Sequence, residues 1–197
     1  MNPLRSLLVG LVIGLLCVMP WACAKRSKVG PDGNSNRPVT SAPSAVVDES
    51  LLAYLSSARS LHHEADLYED KNDPRGAIGA LERLLAIPSK PSPEVDEVVA
   101  DTRARLAELR SELGDFDAAL QDVALGLKAA PAVSYFRGHL LEVKGLVLQK
   151  RAQALADKGD AEGAKKAKDE AMTAFEEAVA VQGEVIKKGS APAGGPP

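Results

Sequence analysis

Apolar residues recur along most of this chain at spacings of three and four, and each such stripe predicts an α-helix that buries one face. Leu51, Leu52, Leu55, Ala58, Leu61, Ala65 and Tyr68 mark the first helix. A polar corner, Asp70-Lys71-Asn72-Asp73-Pro74, starts a second, because aspartate caps a helix and proline tolerates the first helical position. Ala77, Ile78, Leu81, Leu84 and Leu85 form that second stripe, which Pro88 stops. Ser92-Pro93 opens a third helix through Val95, Val99, Leu106, Leu109 and Leu113. At Gly114-Asp115 the chain turns: glycine takes the left-handed conformation that ends a helix, and aspartate caps the next. Phe116, Ala119, Leu120, Val123 and Leu127 follow, closed by Pro131. Leu140, Val143, Val147 and Leu155 define a fifth helix. Beyond Asp157-Lys158-Gly159-Asp160, the residues Ala164, Ala167, Ala171, Phe175, Ala178, Val179 and Ile186 define a sixth.

The corner aspartates Asp73, Asp115 and Asp160 lie 42 and 45 residues apart, a period in the range of stacked helical hairpins. No helix can bury its stripe alone, so the expected fold is all-α: about six helices as three stacked antiparallel hairpins. The run Gly114-Asp115-Phe116-Asp117-Ala118-Ala119-Leu120, with Pro131 after it, resembles the corner of a tetratricopeptide (TPR) repeat. Leu61, Ala65, Tyr68, Ala77 and Leu81 fall on the family's packing positions in the first unit, where Asn72 replaces the corner glycine. Gly159, Asp160 and Ala164 do so in the third. The resemblance covers Ser50 to Lys188 and implies a solenoid of stacked antiparallel hairpins whose first helices line a concave surface. Two departures stand out: the units are longer than the family's, and Arg103 and Arg110 occupy places where the family has large aromatics.

The N-terminus changes the picture from a helical repeat to an exported one. Arg5 precedes an apolar run from Leu7 to Met19, the pattern of a signal peptide, followed by Pro20-Trp21-Ala22-Cys23-Ala24. The favoured assignment is residues 1–22 as signal peptide and Cys23 as a lipidated first residue, since this segment resembles a bacterial lipobox. Pro20 departs from the leucine preferred there, and by the same resemblance Ala24 implies the outer membrane, facing the periplasm. Cleavage after Ala24 at an A-x-A site and an uncleaved anchor helix, favoured by Lys25, Arg26 and Lys28, are the alternatives. Residues 23–47, rich in Pro, Gly, Ser and Asn, read as a disordered tether, 48–188 as the helical domain, and 189–197 as a disordered tail.

Composition removes several function classes. Beyond Cys23 the chain has no cysteine, so the helical body forms neither a disulfide nor a zinc–thiolate site. From Asp48 onward 19 Lys and Arg stand against 26 Asp and Glu, which argues against nucleic acid. No nucleophile elbow, phosphate loop or H-E-x-x-H motif is present, so no enzyme and no cofactor is expected. His62, His63, Glu64 and Asp66 bring two potential ligands to one helix face but no third, so no metal site is expected.

Carrying the TPR groove positions over gives Arg59, His62, Asp66, Glu69 and Asp70 from the first unit, and Asp101, Ala104, Glu108, Ser111 and Glu112 from the second. The third contributes Leu146, Gln149, Gln153, Ala156 and Asp157. Seven of these fifteen are acidic and one is basic. The resemblance therefore implies a non-catalytic interaction scaffold or assembly factor that binds a basic protein or peptide segment, with His62, Asp66, Glu69, Asp101, Glu108, Glu112, Gln149 and Gln153 as its contacts. A small-ligand or cell-wall-binding protein is the alternative, disfavoured by an aromatic content of 4%. An exposed apolar face on the first or last helix would imply a neighbour.

Overall fold

A computed structural model describes residues 48–190. The expected signal peptide, Cys23, the tether and the tail beyond residue 190 lie outside the described residues. Six helices follow one another: α1 (Glu49–Glu69), α2 (Pro74–Leu85), α3 (Pro93–Glu112), α4 (Phe116–Ala129), α5 (Tyr135–Asp157) and α6 (Ala161–Ser190). No strand occurs among the described residues, and none of these helices is long and apolar enough to cross a membrane. The all-α hairpin fold expected from the stripes is the one observed. Helix α6 runs two residues past the expected domain end, through Gly189 and Ser190.

The three hairpin corners are built alike, which explains their recurrence in sequence. Asn72, Gly114 and Gly159 have φ of 55, 79 and 81°, the left-handed conformation. The following aspartate N–H then reaches back five residues in each case: Asp73 to the Tyr68 carbonyl at 2.9 Å, Asp115 to Arg110 at 2.9 Å and Asp160 to Leu155 at 3.0 Å. This is the Schellman closure, which satisfies carbonyls that the helix end would otherwise leave open. The same aspartates cap the next helix, accepting from Gly76 at 2.9 Å, Ala118 at 3.3 Å and Gly163 at 2.8 Å. Asparagine substitutes for glycine in the first corner because it is among the few side chains that tolerate this backbone.

Within each hairpin the pairs α1–α2, α3–α4 and α5–α6 pack along their length, and the hairpins join through α2–α3, α3–α5 and α4–α5. Ala65, Ala77, Ala80, Leu81, Leu106 and Leu109 make the core between the first two units. Ala100, Ala104, Ala107, Ala119, Val123, Leu140, Val143 and Val147 make that between the second and third. Alanine predominates, so helices approach closely and few side chains supply the burial. Fully buried Leu81, Leu84, Leu106 and Leu140 each contribute roughly 1.5–3 kcal/mol.

Four residues placed on buried stripes by their spacing face solvent instead. Leu52, near the start of α1, is 54% exposed because Leu51, Tyr54 and Leu55 are the residues that meet Leu84 and Val95 there, and Leu113, which closes α3, is 45% exposed. Val179 and Ile186 are each 68% exposed, because α6 packs on α5 alone and does so through Ala164, Ala167, Ala171, Ala174 and Ala178.

The arginines that depart from the TPR pattern have a structural explanation. Asp122 of α4 is 1% exposed and lies between Arg103 and Arg110 of α3. Arg103 donates from Nη1 to its Oδ1 at 2.5 Å, and Arg110 donates to its Oδ2. Arg110 also donates to Glu82 of α2 at 2.5 Å, so one ion cluster fastens α2, α3 and α4. The Nε of Arg103 is buried without a hydrogen-bond partner. Gly126, one turn beyond Asp122, is required by close packing: a Cβ there would lie 2.6 Å from Leu140 Cδ2.

Candidate binding cleft

The first helices of the three hairpins, α1, α3 and α5, border a cleft of about 420 Å³. Helix α3 supplies its floor, since Asp101, Arg105, Glu108 and Glu112 succeed one another about a turn apart on one face. His62 and Glu69 enter from α1, and His139, Leu146 and Lys150 from α5. The cleft brings together five of the eight expected contacts: His62, Glu69, Asp101, Glu108 and Glu112. A sixth, Asp66, stands beside it, joined to Arg105. Gln149 and Gln153 do not line it. Both are exposed, and Gln153 donates to Asp157 at 2.8 Å instead. The face of α5 turned to α3 is the one carrying His139, Leu146 and Lys150. Ala104, also expected on the surface, is wholly buried against α4 and α5, because α3 is enclosed on that side.

Two cations that spacing alone did not bring forward moderate the acidic character. Arg105 donates to Asp66 Oδ1 at 2.6 Å, to Glu69 Oε1 from Nε at 3.1 Å and to the His62 carbonyl at 3.3 Å. Its charge is spent tying α3 to α1. Lys150 reaches Ser111 Oγ at 3.5 Å and Glu112 at 3.9 Å. With Asp66, five carboxylates stand against these two cations. Arg105 was legible only as one more polar residue between Asp101 and Leu109. The sign that it belonged here was the concentration of acids at one face of α1, which needed a counter-charge.

Glu108 sits at the centre. It is half-buried, and among the described residues no side chain hydrogen-bonds to its carboxylate. Burial raises its pKa above the ordinary glutamate value, with Glu112 and Glu69 pushing the same way and His139 and Lys150 opposing. A carboxylate held partly out of water without a partner gains most from an incoming cationic donor.

His62 is placed by a different network. The Thr102 hydroxyl donates to the Val98 carbonyl at 2.7 Å, so it must accept from His62 Nε2, 3.1 Å away. That assigns the proton of the neutral ring to Nε2. Burial lowers the His62 pKa, with Asp101, 4.0 Å from Nε2, acting against the shift. His63, by contrast, points outward beside Asp66, and its side chain is 73% exposed.

Fold and cleft together define a helical-hairpin repeat protein with a predominantly acidic, mixed-charge surface along its first helices. No protein-family model matches the sequence, and no curated protein matches it either.

Proposed function

We propose that this protein is a non-catalytic interaction scaffold or assembly factor of the bacterial envelope, held at the periplasmic face of the outer membrane through lipidated Cys23. Its cleft binds a basic segment of a protein partner. The observation that carries the binding half is Glu108, a half-buried carboxylate with no hydrogen-bond partner among the described residues, flanked by Glu112, Glu69 and Asp101. A lysine or arginine side chain would complete it and release little ordered structure. The charge excess would also steer a basic partner at low salt.

Crosslinking capture from native envelopes tests the binding half. Glu108→Lys with Glu112→Lys is expected to weaken capture of the partner by roughly tenfold or more, with the deficit shrinking at high ionic strength. Undiminished capture by this variant would sink the cleft assignment. The anchor is tested separately: Cys23→Ser is expected to move the protein from the membrane fraction to the soluble periplasm, and unchanged partitioning would favour the uncleaved helix.

A further inference from the structure

The acidic cleft does not end at His62. A second hollow of about 430 Å³ continues from it along α1 and α3 toward the start of α5, and His62 and Asp101 line both. Its character is different. Leu55 of α1, Val98 of α3 and Phe136 of α5 form an apolar bed; each is half-buried and leaves its remaining surface to the groove. The rim stays acidic, with Glu94 and Glu97 against Arg59. Tyr135, 61% exposed, joins the two hollows. Its ring meets Phe136 edge-on at 5.5 Å between centroids and stacks at 6.0 Å on His139, which lines the acidic cleft. Exposed tyrosines beside a groove are a common source of binding energy, because a large rigid surface is buried at small entropic cost.

We propose, resting on the acidic-cleft reading above, that the bound segment is an extended strand carrying a large apolar residue four positions from a basic one. The apolar side chain sits on Leu55, Val98 and Phe136, and the basic one meets Glu108. Size selects an extended occupant. Hollows of about 420 and 430 Å³ spread over the ~27 Å of α3 from Glu94 to Glu112 average roughly 30 Å² in cross-section. A helix, about 10 Å across with its side chains, needs roughly 80 Å². The spacing follows from α3, which underlies both hollows. Val98 and Glu108 are ten residues apart, ~15 Å along the helix axis. An extended chain covers that in four to five residues at about 3.3 Å each. Because strand side chains alternate, only the even spacing, four, aims both into the same floor. The long stem of lysine or arginine makes up the small remainder. Glu112, one turn beyond Glu108, lies two strand positions further and takes a second basic residue by the same measure. Charge sets the sign, since the carboxylates along both hollows repel an acidic segment.

Selection from a random dodecapeptide phage library on the full chain in lipid nanodiscs, with empty nanodiscs as counter-selection, tests the proposal. Enriched peptides are expected to share a large apolar residue four positions from a lysine or arginine. In fluorescence anisotropy with an enriched peptide, replacing that apolar residue by serine should weaken binding roughly tenfold or more. Selection on Val98→Gln and on Leu55→Gln should lose the apolar preference and keep the basic one, and Glu108→Gln should do the reverse. Circular dichroism shows that each variant is folded, and either glutamine variant alone suffices. Basic residues enriched with no apolar residue at a fixed distance, or an apolar preference that survives the glutamine variants, would overturn the proposal and leave the acidic cleft standing. A spacing of ten or eleven, the separation along a helix, would overturn the extended occupant. Enrichment without basic residues, or binding indifferent to Glu108→Gln, would overturn the cleft reading itself, and a selection that enriches nothing counts against both.

Discussion

Replacing Asp122 with alanine is expected to cost about 3 kcal/mol of folding stability, the low end of what removing one partner from a buried ion pair costs. The carboxylate is 1% exposed and is the shared acceptor for Arg103 and Arg110. Without it, two guanidinium groups remain in a partly dehydrated seam between α3 and α4, their side chains 25% and 20% exposed. That residual exposure, and Glu82 as a second acceptor for Arg110, keep the cost from the upper end. Asp122→Asn retains one acceptor oxygen and should lose less than alanine. Denaturant melts followed by far-ultraviolet circular dichroism would measure both. A loss below about 1 kcal/mol for alanine, the range of exposed ion pairs, would show that the cluster does not act as a buried one.

The second large effect is expected at Gly145 of α5. A Cβ there would lie 2.6 to 2.7 Å from three ring atoms of Phe175 on α6, closer than any real contact. Gly145→Ala gains helix propensity, yet must push α6 away or force the ring off its rotamer. Overpacking of this kind costs about 1–3 kcal/mol. Because α6 packs on α5 alone, the damage should localise: amide exchange through α6 should accelerate before that of α3 and α4. Phe175→Ala removes the obstacle, so Gly145→Ala should be nearly harmless in that background, a coupling that a double-mutant cycle would read. Equal cost of Gly145→Ala with and without the ring would mean that the contact is not the cause.

The helices and their corners were legible because their determinants are local. Asp73-Pro74, Gly114-Asp115 and Gly159-Asp160 state where one helix stops and the next starts within two residues, and spacings of three and four state which face is apolar. Half of the candidate cleft was legible for the same reason, since Asp101, Glu108 and Glu112 share a face of α3 whatever lies opposite. Gln149 and Gln153 were misplaced because α5 is enclosed on two sides by α3, α4 and α6, and its remaining open face cannot be told from spacing alone. Arg105, His139 and Lys150 were missed because polar residues carry no sign of whether they face water or another helix.

The sequence by itself determined an all-α chain of three hairpins, because caps, left-handed corner residues and apolar period act over a few residues. The tertiary structure decided what the helices turn toward one another. It buried Asp122 between two arginines, spent Arg105 on Asp66 and Glu69, and left Glu108 without a partner. It also turned Met172, Val179 and Ile186 outward by packing α6 on its alanines. These outcomes depend on which helices approach and how closely, a matter of volumes and charges summed across residues far apart in the chain, and no local pattern encodes that sum.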